Sequence, residues 1–284
     1  DTNLQQMLVD DALLNIGFHI ERWQEIEEME DEMKQLRSYV NEHLWNDETG
    51  FLCDRYGDGT LCATKGIGAY WALQTDVLNK ERLDRLVAHL SDTVEFARPH
   101  RVPSLSADHP KYNPTGRYWQ GGVWPGTNYM VIDGLYRKGY RDLAREIAAN
   151  HFNAVFQVWK DTGTFWEYYA PEKIEPGFMA RKDFVGWTGL PPIAVFIEYL
   201  LGVKSDFSEG RIVWDVTQTE AHGIERYPYG PEGVVDLKVR ARGSAAETPS
   251  VTVVTNVPFE LVVNWGDGES RTVRVEKSGP VSLK

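Results

Sequence analysis

The sequence predicts a mainly α fold, a partial α/α toroid of helical hairpins over residues 1–203 followed by a small antiparallel β domain over residues 204–284. Three observations predict it. Apolar residues recur at helical spacing through most of the first 203 positions. Within that stretch, charged amphipathic segments alternate with nearly uncharged ones. From Arg211 onward the apolar period shortens to two residues, between Gly, Pro and Asp turns.

Taken in order, Leu4, Leu8, Ala12 and Ile16 mark one face of a first helix. Trp23, Ile26, Met29, Met33, Leu36, Val40 and Leu44 mark a second, longer one. The acids between Glu21 and Glu32 fall mostly off that stripe and read as a solvated face. Asn46-Asp47-Glu48-Thr49-Gly50 predicts a turn. Segments 80–91 and 140–160 are amphipathic, as outer helices are, whereas 64–75, 121–138 and 187–202 are almost free of charge and predict helices buried all round. Each of the latter follows a Gly- or aromatic-rich loop. The resulting alternation of inner and outer helices is that of a toroid, but only about seven helices are present, so the chain resembles its second half. Alternating runs at 211–216, 234–240, 251–255, 260–265 and 271–275 predict the strands, and Gly266-Asp267-Gly268 predicts a hairpin. A structural role is expected for these strands, with carbohydrate binding as the alternative.

A net charge of −12 and a pI near 5.1 argue against nucleic acid or an anionic membrane as partner. No apolar run reaches the roughly 18 residues a membrane span needs. The chain begins at Asp1, as expected of a processed or trimmed polypeptide. Cys53 and Cys62 flank a turn at Tyr56–Thr60. A cross-strand disulfide and two free thiols both fit that spacing. No Cys/His spacing suggests a metal, and no phosphate loop, nucleophile elbow or dinucleotide fingerprint implies a cofactor.

Chemistry concentrates in two loops that precede predicted buried helices. One runs from Pro103 through Asp108 to Tyr118-Trp119-Gln120-Gly121-Gly122-Val123-Trp124-Pro125; the other from Thr164-Phe165-Trp166-Glu167-Tyr168-Tyr169 to Asp183-Phe184-Val185-Gly186-Trp187-Thr188-Gly189. Trp119, Trp124, Trp166 and Trp187 either stack on sugar rings or fill the core. Glu167, enclosed by aromatics and lacking a local cation, reads as a partly desolvated base or as the partner of a distant Arg such as Arg117. Asp108 reads as a sugar-hydroxyl acceptor or an Asx turn, and Asp183 as a helix cap. Glu172 and Glu175 read as part of a solvated flap. His100 and His109 are expected to lack a catalytic partner.

These motifs, with Asn41-Glu42-His43-Leu44-Trp45-Asn46-Asp47-Glu48-Thr49-Gly50-Phe51, resemble the inverting glycosidases of glycoside hydrolase family 63, in the clan with the family 37 trehalases, and most nearly the mannosylglycerate and glucosylglycerate hydrolase type. The likeness spans residues 1–203 with the motifs in order. It implies an (α/α)6 barrel acting on a small α-glucoside or α-mannoside. Glu167 then takes the general-base position, and Tyr118, Trp119, Gln120, Trp124, Trp166, Tyr168 and Trp187 line the sugar funnel. Gln120-Gly121-Gly122 stands where the family has Arg-Gly-Pro, which removes a charged donor for an acidic aglycone. The family's general-acid Asp precedes the matched region. The resemblance therefore implies that the acid lies on an N-terminal part of the same enzyme, or on a partner chain, that completes the barrel. A catalytically inactive carbohydrate-binding subunit is the alternative.

Overall fold

The structure, a computed structural model, describes residues 1–283. The chain divides into two compact units, Asp1–Pro191 and Pro192–Lys284. This moves the expected boundary after residue 203 toward the N-terminus, because Ile197 and Leu201 pack on the core of the β unit.

In the first unit, α1 (Thr2–His19) lies against α2 (Trp23–Tyr39), which a π turn continues through Val40–Leu44. The expected stripe of α1 is corrected. Leu4, Met7, Asp10 and Gly17 are its buried residues, while Val9, Leu13 and Ile16 are exposed. Gly17 explains the choice of face: a Cβ there would stand 2.4 Å from Ile26 Cγ2, so α2 crosses α1 where α1 has no side chain. On α2 the predicted stripe starts exposed at Trp23, is half-buried at Ile26, Met29, Met33 and Leu36, and is buried only at Val40. The turn after it forms as expected, as a two-residue ladder of β1 (Trp45–Asn46) with β2 (Phe51–Leu52), capped by Asn46 Oδ1, which accepts from the amides of Glu48 and Thr49 at 2.9 and 3.1 Å.

The buried helix expected at 64–75 forms as a 3₁₀ helix, Ile67–Gln74. Next comes α3 (Lys80–Ala88), whose N-cap Asn79 accepts from Arg82 N at 2.9 Å. α4 (Pro125–Arg137) begins on a proline, which loses nothing at a position whose N–H has no helical partner. It is buried on most sides, and Gly134 lets Leu73 approach so that a Cβ would lie 2.4 Å from Leu73 Cβ. α5 (Arg141–Thr162) packs on α4 and buries Ala144, Ile147, Ala148, His151, Ala154, Val155 and Val158, the last two against Val123 and Tyr169, and Gly163 ends it at φ +72°. The helix expected over 187–202 is corrected to a 3₁₀ turn at Trp187–Gly189 and a π helix at Pro191–Leu200. Consecutive Pro191 and Pro192 lack the amide donors that a continuous α-helix would use.

The second unit holds two four-stranded sheets. β10 (Gly279–Val281), β7 (Val251–Thr255), β6 (Gly233–Val239) and β5 (His222–Tyr229) form an antiparallel one. The other joins β3 (Val203–Asp206), β4 (Arg211–Asp215), β8 (Phe259–Trp265) and β9 (Glu269–Val275). Here β4 pairs with β8 in parallel, so the expectation of a purely antiparallel domain is corrected to one antiparallel and one mixed sheet. Inward residues of both sheets, among them Trp214, Leu237, Val253, Leu261 and Val263, share one core. The Gly266–Gly268 hairpin forms as read, closing Trp265 onto Glu269. Among the described residues no helix is long and apolar enough to cross a membrane.

Candidate functional site

The two chemistry-bearing loops are joined by a reciprocal backbone pair: Val123 N donates to Tyr169 O at 2.9 Å and Tyr169 N to Val123 O at 3.0 Å. The second loop also folds back on itself, with Glu167 N on Arg181 O at 3.0 Å, Phe184 N on Phe165 O at 3.1 Å and Gly177 N on Tyr168 O at 3.0 Å. The residues around Glu167 are thus held by hydrogen bonds on a ribbon rather than in an open coil.

Five of the predicted site residues converge. Trp124, 2% exposed, has Trp119 stacked beside it at 4.5 Å and 17°, and Tyr168 at 4.5 Å and 30°. Tyr118 and Trp187 meet it edge-on at 5.1 and 6.1 Å. Trp119, Tyr118 and Trp187 keep large exposed faces, so the cluster has a buried floor and an open aromatic rim. Glycine permits the crowding at two points. A Cβ on Gly122 would stand 2.4 Å from Tyr118 O, and one on Gly126 2.2 Å from Trp187 Cε3.

Tyr118 itself sits at φ +50°, a sparsely populated region for a bulky residue. Its carbonyl is saturated to hold it there, accepting from Gly122 N at 3.0 Å, Ser104 Oγ at 3.3 Å and Trp124 Nε1 at 3.3 Å.

Glu167 is half-buried, and among the described residues its carboxylate has no hydrogen-bond or ion-pair partner. The pairing with Arg117 considered from sequence does not form; Arg117 is exposed. Burial, and then the charge of Glu167, push the Tyr168 phenol above its ordinary value, and its hydroxyl donates to Phe178 O at 2.9 Å. Trp166 does not join the cluster. It packs with Phe165 on Val123, Val155, Val158 and Tyr169, and its indole N–H donates to Thr162 Oγ1 at 3.1 Å. Gln120 is exposed and, among the described residues, hydrogen-bonds only through its backbone.

The remaining candidates resolve into structural roles. Asp108 bonds Lys65 Nζ at 2.6 Å and accepts from Ser106 Oγ at 2.6 Å; burial pushes its carboxyl up, but these two bonds outweigh it and hold it below its usual value. Asp183 caps no helix: it is exposed at φ +55°, and Gly186 precedes the 3₁₀ turn. Glu172 is not part of a solvated flap, because Arg98 grips it with both Nε and Nη2. His100 does have a partner, His151, at 2.8 Å in the interior, and His109 Nε2 meets Thr64 Oγ1 at 3.2 Å. Cys53 and Cys62 are unbridged. Cys62 N bonds Asp54 O at 2.7 Å, which sets Cys62 opposite Asp54 rather than Cys53. No cluster of three or more metal-ligating side chains occurs among the described residues.

A family profile, the mannosylglycerate hydrolase MGH1-like glycoside hydrolase domain, matches residues 1–184. The chain belongs to this family. Among MGH1-like and related sequences, the probable mannosyl-oligosaccharide glucosidase of Schizosaccharomyces pombe is 29% identical over 175 residues, covering 56% of this chain and 21% of that protein. The mannosylglycerate hydrolase of Rubrobacter radiotolerans is 26% identical over 162 residues, 56% of this chain and 35% of its own. The structure of the GH63 mannosylglycerate hydrolase from Thermus thermophilus in complex with glucose superposes with a TM-score of 0.57 at 22% identity, over 69% of this chain and 43% of that one, a likeness of fold. The chain spans less than half the length of each of these proteins.

Proposed function

We propose that this chain carries the general-base side of an inverting α-glycosidase acting on a small α-glucoside or α-mannoside. The observation that carries the reading is the Glu167 carboxylate, half-buried and unpaired among the described residues, next in sequence to Tyr168 of the stacked aromatic floor. A sugar laid on the open rim of Trp119 and Trp187 would present one face of its anomeric carbon to the site. Glu167 would take a proton from a water on that face as the water's oxygen bonds to the anomeric carbon. A second carboxylic acid, roughly 6.5–9.5 Å away, would give its proton to the departing glycosidic oxygen. That acid is assigned to a preceding segment or partner chain that completes an (α/α)6 barrel. The exposed apolar face of α1 at Val9, Leu13 and Ile16 is a surface such a segment would cover.

The test is Glu167→Gln in the full-length enzyme. Its kcat on p-nitrophenyl α-glucoside or α-mannoside should fall by about three orders of magnitude with an unchanged melting temperature, and proton NMR of the wild-type reaction should show the β-anomer first. Near-normal turnover, or the α-anomer as first product, overturns the assignment.

A further inference from the structure

Glu172 lies where three segments of the first unit meet. Its Oε1 accepts from Arg98 Nε at 2.7 Å and from the Tyr112 hydroxyl at 2.6 Å, and its Oε2 accepts from Arg98 Nη2 at 2.8 Å. Arg98 is itself tied to its own loop through the Thr93 carbonyl. Both carboxylate oxygens are therefore occupied, and the Arg98 bonds hold the group below the usual carboxylate range against the opposing effect of burial. Glu172 is in no state to donate a proton, and the planar two-point grip of Arg98 fixes its orientation.

What that orientation secures is the seat of the aromatic rim. The ring of Tyr112 lies under Gly121, so near that a Cβ there would be 2.8 Å from Cε2, and Gly121 takes φ +112°, which a side chain would strain. Asn113 N donates to Gln120 O at 2.8 Å, so the Tyr112 segment supports the turn on both sides. Tyr118 and Trp119 are the central residues of that turn, which Gln120 N closes on Arg117 O at 2.8 Å. On the other side, Pro171 O accepts from His100 N at 2.8 Å, two residues after Tyr169 pairs with Val123. One carboxylate thus ties together the Arg98 loop, the Tyr118–Trp119 turn and the ribbon that carries Glu167.

We propose that Glu172 is a positioning residue for sugar binding: held by Arg98, it fixes Tyr112 beneath Gly121 and so sets Trp119 against Trp124. The proposal rests on the reading of the aromatic rim as a sugar site. An ion pair that merely stabilised the fold would lower the melting temperature and leave the rim unchanged.

The experiment compares wild type with Glu172→Gln and with Tyr112→Phe, which keeps the ring under Gly121 and removes only the hydroxyl. Two signals are read on the folded proteins: the exciton-coupled circular dichroism of the Trp119–Trp124 stack, and the affinity for methyl α-D-glucopyranoside and methyl α-D-mannopyranoside from tryptophan fluorescence. The expected result is a weakened exciton band and about tenfold weaker sugar binding in Glu172→Gln, with a smaller change in the same direction in Tyr112→Phe and a double variant no worse than Glu172→Gln alone. An unchanged exciton band in both single variants overturns the proposal, as does wild-type sugar affinity in both. If wild type binds neither glycoside, the glycosidase reading falls, and the exciton band alone decides the role of Glu172. Should Glu172→Gln not fold, Tyr112→Phe decides by the same two signals.

Discussion

The indole of Trp119 lies on the indole of Trp124 at 4.5 Å and 17° from parallel, yet one is 44% exposed and the other 2%. Stacked neighbours thus face opposite demands. Trp124→Ala should cost about 3–5 kcal/mol in urea unfolding, because it removes the floor ring that stacks on Tyr168 beneath Tyr118, Trp119 and Trp187. Trp119→Ala should cost about 1 kcal/mol while removing most of the sugar-dependent fluorescence change. Equal costs for the two would contradict the division into floor and rim.

Gly122 is a second point of strict geometry. Alanine there would drive its methyl into a carbonyl that three donors already hold. Gly122→Ala should lose about 2 kcal/mol or more. Gly57→Ala, with open space around its added carbon, should stay within about 0.5 kcal/mol.

The buried pair His100–His151 makes stability depend on pH. Burial lowers both imidazoles, His151 to about 3, and His151 further lowers His100. Below the ordinary histidine value of about 6.5 the unfolded chain takes up protons that the folded one refuses. Stability is therefore complete above about pH 6.5 and declines as pH falls from there toward 3. The slope is about 0.7 kcal/mol per pH unit for each histidine near pH 6.5 and approaches about 1.4 roughly one unit below it. Urea midpoints between pH 7 and pH 5.5, above the carboxylate range, measure this, and His151→Leu should flatten the slope. A slope unchanged by that substitution would remove the pair as its source.

Residues 192–284 contain their own core, with Trp214 fully buried and its Nε1 on Leu201 O at 2.9 Å. Expressed alone, this segment should unfold in one cooperative transition by tryptophan fluorescence and by circular dichroism alike. Trp214→Ala should abolish that transition or lower its stability by about 3–5 kcal/mol. Non-coincident transitions in the unsubstituted segment would show that the unit borrows stability from elsewhere.

How much of this was legible beforehand depends on how far apart the interacting residues lie. Val251–Thr255 alternates cleanly and forms as read. His222–Tyr229 was missed, because Pro228 and a register shift between Ile224 and Tyr227, with Arg226 at φ +58°, break its alternation. Hydrophobicity signals that a segment is helical but not its hydrogen-bond pattern, so the 3₁₀ and π geometries at 67–74 and 191–200 were not visible. The aromatic cluster was readable in part because Tyr118, Trp119 and Trp124 are near neighbours. Arg98 and Glu172, 74 positions apart, left no local signal, and neither did the His100–His151 pair.

The reciprocal Val123–Tyr169 pair has a consequence for how such a site can diversify. It fixes the register of the two loops at one point, so a change in length of the α4–α5 hairpin between them leaves the offset of Glu167 from Trp124 in place as long as that pair persists. The spacing of Glu167 and the Trp124 floor is then set by that backbone pair, while the exposed side chains of Trp119, Gln120 and Trp187 can change without disturbing it.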